Sequence, residues 1–397
     1  MKYPLLDNAF TNKDLNEGIK VLKSKQLTMS KITKNFEKKF AKSVGAKYAL
    51  MVNSGSSANL LILSLLVNPL YKKKLKLNDE ILIPAICWST SLWPIVQLGL
   101  KPIFVDVDLD TLNISIKDLK KKINKKTKAI MCVHVLGISS DMDEIKKICN
   151  KKNIIILEDT CESLGASFKK SSLGTIGELG SYSFYFSHQI TSGEGGMVVC
   201  NNTRNYNILK SLRSHGWSRD TIFHKKYKKK YKDLDEQFLF INSGYNLRPT
   251  EIQAAIGLSQ FKKLRQFKNI RNSNRNKIIS YLKNSKKWKN QFKFVEVNPN
   301  IKPSWFGLAI LINDKFLNKK KNFYDFLKKK KIETRPILSG NFLNQPAAKL
   351  YNLNSQKNFP NADDIQKRGF FIGLHTKKIT NEHLKYLCEN LLKIEKN

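Results

Sequence analysis

No two cysteines in this sequence form a C-x-x-C pair. The six, Cys87, Cys132, Cys149, Cys161, Cys200 and Cys388, are scattered, several of them inside apolar stretches. That spacing argues against a metal site, an iron–sulfur cluster and a disulfide framework, and points to reduced core thiols. Long apolar runs are also missing: none approaches the roughly 20 residues a membrane helix needs. The start, Met1-Lys2-Tyr3-Pro4, lacks the apolar stretch and small-residue cleavage site of a signal peptide. We expect a cytoplasmic protein with no membrane partner. Acidic residues are scarce, 32 Asp and Glu against 71 Lys and Arg, for a net charge of +39. Nucleic acid is the obvious partner for such a charge. The lysines, however, fall in short runs along the whole chain, such as Lys72 to Lys74 and Lys328 to Lys331. No helix-turn-helix, finger or RNA-binding signature accompanies them. A solvated surface is the plainer reading, with a field that attracts anions such as nucleoside diphosphates. A nucleic-acid-binding regulator is the rival from another class.

What is present suits a globular enzyme. The chain has 397 residues, 41% hydrophobic and 26% charged, enough for two domains sharing one site. Short apolar strands are expected at Tyr48 to Val52, Glu80 to Pro84, Pro102 to Val105, Ala129 to Val133 and Asn153 to Leu157. Helices are expected between them, one from about Leu60 and one from Met142 to Lys151. Continuous apolar strands alternating with helices predict an α/β fold with a mostly parallel central sheet covered on both faces. Ser181 to Phe186 and Met197 to Cys200 predict a strand pair around a glycine-rich turn. After Pro249 the pattern changes. A helix from Thr250 leads into a lysine-rich section. A strand (Trp305 to Ile312), a helix near Phe323 to Lys330, an extended piece (Thr334 to Leu338) and a helix from about Asn381 follow. The expected division is a large domain over 1–249 and a smaller C-terminal α/β domain over 250–397.

Three motifs carry chemistry. Asn53-Ser54-Gly55-Ser56-Ser57 lies between a strand and a helix, where amides and hydroxyls at a helix N-terminus grip a phosphate. In Glu158-Asp159-Thr160-Cys161-Glu162, Asp159 ends a parallel strand, where open α/β sheets bind ligands. A carboxylate there can hold a protonated pyridine nitrogen. In Ser183-Phe184-Tyr185-Phe186-Ser187-His188 a strand ends at a histidine, the side chain best suited to move protons near neutral pH. Taken singly, each has a plain structural reading: a helix cap, a strand-end acid, a core histidine.

Together, in this order and spacing, the motifs resemble the sugar aminotransferase family called DegT/DnrJ/EryC1/StrS. Asp106, Val133 to Gly137, Arg213-Ser214-His215-Gly216 and Gly244-Tyr245-Asn246-Leu247-Arg248 with Gln253-Ala254-Ala255 fit it as well. The resemblance covers almost the whole chain. It implies a fold-type I pyridoxal 5'-phosphate (PLP) enzyme, a homodimer with a shared active site. It also implies that Gly55, Ser56, Ser57 and Ser183 hold the cofactor phosphate and that Asn246 reaches it from the neighbouring subunit. Asp159 would pair with the ring nitrogen and Trp88 would stack on the ring.

Two departures shape the expected function. Transaminases of the family carry a lysine where this chain has His188, and no lysine lies between Lys170 and Lys210. Without that amine the chain cannot hold its cofactor covalently, and pyridoxamine 5'-phosphate (PMP) would be the working form. Glu162 stands where the transaminases have glutamine beside the ring hydroxyl. Both changes, with Trp88 and Thr334-Arg335-Pro336-Ile337, resemble the 3-dehydratase branch. That branch implies C3 deoxygenation of a nucleotide-linked 4-keto-6-deoxy sugar, here GDP-4-keto-6-deoxymannose, giving a 3,6-dideoxy-4-keto sugar of the lipopolysaccharide O-antigen kind. His188 is the expected catalytic residue and L-glutamate the amino donor. His215 and Arg219 are candidates for the nucleotide-sugar end. The family's CDP-sugar dehydratases hold an iron–sulfur cluster on cysteines after a Gly-Trp segment. Gly216-Trp217-Ser218-Arg219 is followed by none, so a CDP-linked dehydratase is the lesser alternative. An ordinary nucleotide-sugar 4-aminotransferase is the other.

Overall fold

The structure, a computed structural model, describes residues 1–353 and 355–396. Two helices that the sequence reading did not anticipate, α1 (Asn12–Ser24) and α2 (Lys31–Val44), precede the first strand. Both are lysine-rich and show only a narrow apolar stripe, which hides them in a linear reading. The chain then alternates β1 (Tyr48–Val52), α3 (Gly55–Leu66), β2 (Glu80–Pro84), α4 (Ser89–Gln97), β3 (Lys101–Val105), α5 (Ile116–Lys122), β4 (Thr127–Val133), α6 (Met142–Lys151) and β5 (Ile155–Asp159). Two-residue strands β6 (Ser167–Phe168) and β7 (Ser171–Ser172) come before β8 (Leu179–Ser183) and β9 (Gly196–Cys200).

The seven-stranded sheet has the order β1-β9-β8-β5-β4-β2-β3. Strands β3, β2, β4, β5 and β8 run parallel, while β9 is antiparallel to both β8 and β1. Both faces are covered, as the apolar runs predict. Leu50, Val52 and Val198 join one core with Leu61 and Ile62 of α3. Their neighbours Ala49, Met51, Met197 and Val199 join a second core with Phe36 and Phe40 of α2. The period-two alternation of a strand separates the two sets.

Several boundaries differ from expectation for local reasons. The helix expected from about Leu60 begins at Gly55, because the Ser54 hydroxyl caps it by accepting from the Ser57 amide. The strand expected at Asn153 to Leu157 runs from Ile155 to Asp159, which places the acid at the C-terminal end of the sheet's central strand. The strand expected through Phe186 stops at Ser183, and the chain turns at His188, whose amide donates to the Tyr185 carbonyl (3.0 Å).

After α7 (Thr203–Arg213) and α8 (His224–Lys230), α9 (Glu251–Phe261) starts at a Thr250–Gln253 capping box. Asp14 of α1 is buried against it, accepting from Ser259 and Gln260 at 2.6 and 2.8 Å. The lysine-rich section expected next is largely one 20-residue helix, α10 (Leu264–Lys283). Its buried face is Phe267, Arg271, Asn274, Ile278 and Leu282, a helical spacing masked by its two polar members. A second sheet, in the order β10-β12-β14-β13, joins β10 (Phe292–Phe294), β12 (Gly307–Ile312), β13 (Thr334–Arg335) and β14 (Gly369–Gly373). A third joins β11 (Ile301–Lys302) to β6 and β7. The six cysteines are free, with five buried and Cys161 half-buried. No helix among the described residues is long and apolar enough to cross a membrane.

Candidate active site

The C-terminal ends of β1, β5 and β8 meet the first turn of α3. Gly55 lies so close to β8 that a Cβ there would sit 2.5 Å from Ser183 Cβ and 3.0 Å from Cys161 Sγ. Only glycine allows that approach. It sets the first-turn amides of a 12-residue helix beside the Ser183 hydroxyl. Ser57 Oγ donates to Asn53 Oδ1 (2.6 Å), and Ser56 Oγ donates to Thr90 Oγ1 (2.9 Å). Gly55, Ser56, Ser57 and Ser183 are thus brought together at a helix N-terminus, a place that suits an anion such as a phosphate.

Adjacent acids at the end of β5 point opposite ways. Glu158 is fully enclosed: His134 Nε2 lies 3.0 Å from Oε2, and the amides of Gly174, Ile176 and Gly177 donate to it at 2.6–2.7 Å. Asp159 is also buried, but its partners leave it capacity. Asn59 Nδ2 and Ser91 Oγ donate to Oδ2 at 2.7 and 2.6 Å, and the Cys161 amide donates to Oδ1 at 3.1 Å. All three donors are neutral, so none of them supplies a positive charge to the carboxyl, which can pair with a cationic ring nitrogen. Asn59 and Ser91 were not singled out in the sequence. The signal was available for Asn59, a buried polar residue in an otherwise apolar stretch of α3.

His188 is half-buried after the β8 turn. Its Nδ1 lies 2.5 Å from the Cys161 carbonyl. A carbonyl can only accept, so Nδ1 carries the hydrogen and Nε2 holds the lone pair. Loss of solvent around the ring pushes the imidazole down to about 4, so it is neutral near pH 7. The Tyr185 and Phe306 rings stand edge-on to it, at 6.1 and 5.3 Å between centroids. Beside it, Glu162 Oε2 accepts from the Leu136 amide (2.9 Å), and burial pushes this carboxyl up to about 7. Leu136 takes a left-handed conformation, φ 52°, to make that contact. Such backbone strain in a non-glycine residue collects at functional sites. Trp88 precedes α4, the helix that delivers Ser91, and is 54% exposed. An indole left this open is available to stack on a flat ligand.

His215, Arg219 and Asn246 form a second cluster. Arg248 Nη2 donates to His215 Nε2 (3.1 Å) and Arg248 Nε to Asn246 Oδ1 (3.1 Å). The Arg219 guanidinium lies 3.4 Å from the Trp217 ring centroid, a cation–π contact. Trp217 and Arg248 are the members that sequence reading did not assign to the site. The Asn53 amide, donating to the Leu247 carbonyl (3.1 Å), ties this cluster to the N-terminus of α3. Ile222, Leu234, Phe238 and Phe240 nearby in the chain are each more than half exposed.

The donor set fits a pyridoxal-type cofactor: a helix N-terminus for a phosphate, a buried acid for a ring nitrogen, an exposed indole and a base with a free nitrogen. The profile of the DegT/DnrJ/EryC1/StrS aminotransferase family matches residues 8–392. The chain is 38% identical over 395 residues to the GDP-4-keto-6-deoxy-D-mannose 3-dehydratase of Escherichia coli O55:H7, spanning 98% of this chain and 100% of that protein. It is similar to the solved structure of E. coli GDP-4-keto-6-deoxy-D-mannose-3-dehydratase with bound hydrated PLP. There the TM-score is 0.90 at 37% identity, over 98% of this chain and 99% of that one. A GDP-4-keto-6-deoxymannose-3-dehydratase with a trapped PLP-glutamate geminal diamine gives a TM-score of 0.89 at 37% identity, over 98% and 100%.

Proposed function

The chain belongs to the DegT/DnrJ/EryC1/StrS aminotransferase family, and we propose that within it the protein is a PLP/PMP-dependent 3-dehydratase of GDP-4-keto-6-deoxy-D-mannose. The observation that carries this reading is the histidine at the end of the β8 turn, with no lysine between Lys170 and Lys210 to replace it. The 38% identity over the full length of a dehydratase of that name supports the substrate. Overall, the sugar loses its C3 oxygen, glutamate is oxidised to 2-oxoglutarate, and its nitrogen leaves as ammonia, which balances atoms and electrons. The protein works in the cytoplasm, where its free thiols stay reduced.

When bound, PMP supplies the primary amine that condenses with the C4 ketone and a ring that takes up an electron pair. The chain does the rest. Gly55, Ser56, Ser57 and Ser183 hold the phosphate. Asn246 of a second copy completes that grip, so the site is shared across a homodimer. Asp159 keeps the ring nitrogen protonated, Glu162 meets the ring hydroxyl, and Trp88 covers the ring face. His188 Nε2 takes a proton from carbon and returns one to the departing C3 oxygen, one base serving both transfers. An imidazole fits because it moves protons without bonding covalently to the cofactor. His215 and Arg219 hold the nucleotide-sugar end.

The test is incubation of the protein with PMP, glutamate and GDP-4-keto-6-deoxymannose, following the sugar by mass spectrometry. A product lighter by one oxygen, with ammonia released, is expected. A product carrying an amino group would instead make the protein a 4-aminotransferase and remove His188 from the centre of the reaction.

A further inference from the structure

Arg271 is the one cation on the buried face of α10, 4% exposed. Its Nη2 donates to the His188 backbone carbonyl at 3.3 Å. Its Nε and Nη1 have no partner among the described residues. A guanidinium enclosed with donors unmet is destabilising, and an apolar side chain would fill the position without that desolvation. A cost of that kind at the carbonyl of the candidate base calls for a reason beyond packing.

We propose that Arg271 is a positioning residue for His188, fixing its backbone through the carbonyl and adding a buried positive charge that favours the neutral, proton-accepting form of the imidazole. This rests on the reading that His188 moves protons. The other side of the turn is held independently, since Gln189 Nε2 donates to the carbonyls of Glu162 and, at 3.2 Å, Ser304. Two opposing influences act on the ring. The Asp159 charge from β5 and the Cys161 carbonyl favour imidazolium, while desolvation and Arg271 disfavour it. Tyr185 and Phe306 present uncharged rings. Asp7 is the acid that acts on Arg271. It lies in the N-terminal arm, bonded to the Thr376 amide (3.0 Å). Without Arg271, desolvation alone would oppose the Asp159 charge and the Cys161 carbonyl, and the imidazole would take up a proton more readily.

The experiment is a pH titration of the His188 ring by NMR on the full-length, cofactor-free protein with labelled histidine, the signal being assigned by its loss in His188→Asn. The wild-type ring should stay neutral down to about pH 4. In Arg271→Met its titration should move up. Arg271→Lys, which keeps the charge, should titrate close to wild type. A folded Arg271→Met protein with an unchanged titration would overturn the proposal. If that variant does not fold, Asp7→Asn leaves Arg271 in place and removes its counter-charge. The titration should then move further down, and a titration that stays put or rises overturns the proposal. The measurement needs no substrate. A failed dehydration assay with a shifted titration would therefore discard the reaction and leave the Arg271–His188 coupling intact.

Discussion

At the end of β5, Asp159 is 4% exposed and holds three donors from two helices and its own turn, and His188 is pinned through both its ring and its carbonyl. In the segment from His215 to Phe240, Arg219 lies over Trp217 while Phe238 and Phe240 are 59% and 56% exposed. In the first region the acid and the histidine are held by hydrogen bonds within one chain. The second presents exposed apolar and cationic side chains. Proton transfer demands atoms held to fractions of an ångström, whereas recognition of a large, flexible nucleotide sugar tolerates a surface completed on binding. The two regions should therefore fail differently when altered.

The largest effect should come from the pinned region. His188→Asn should lower kcat by about 10²–10⁴-fold, the usual share of a general acid–base group. Binding of PMP, followed by its absorbance, should stay near wild type. His188→Lys should go further and create a reducible covalent link to PLP, detectable by mass. If His188→Asn spared kcat, the division between a chemical and a recognition region would collapse. Next, Gly55→Ala forces a Cβ to within 2.5 Å of Ser183 Cβ. Overpacking of this kind costs about 1–3 kcal/mol, so PMP affinity measured by fluorescence should fall by about tenfold or more. In the open region, Arg219→Ala should raise KM for the GDP-sugar by about tenfold, some 1.4 kcal/mol, and leave kcat nearly unchanged. A fall in kcat instead would mean that the Arg219–Trp217 pair serves the chemistry and would blur the contrast. A further prediction concerns stability. Glu162 titrates at about 7 in the folded chain against an ordinary 4.5. Its raised value means that the folded state holds the extra proton between those limits. Stability from this group is full below about pH 4.5 and lost as pH rises through about 7. Thermal melts of Glu162→Gln should lose that part of the slope.

Much of the fold was legible for a simple reason. Glu80 to Pro84 and Met142 to Lys151 match their elements to the residue, because one is a continuous apolar run and the other is bounded by the Asp141 cap. The helix α10 was not legible, since Arg271 and Asn274 interrupt the apolar stripe that would have revealed it. The same substitution of a polar for an apolar residue hid the candidate positioning group.

The sequence by itself determined the chemical inventory: a glycine-serine turn, an acid at a strand end, a histidine and no lysine beside it. Those are properties of residue type and local spacing. Tertiary structure decided which nitrogen of His188 is free, which of Glu158 and Asp159 keeps capacity for a ligand, and that Asn59, Ser91 and Arg271 stand behind them. Asn59 and Ser91 are separated from Asp159 by 100 and 68 positions, and Arg271 from His188 by 83. No local pattern encodes contacts at such separations. They exist only because the sheet order brings β5 and β8 together and packing carries α3, α4 and α10 against their ends.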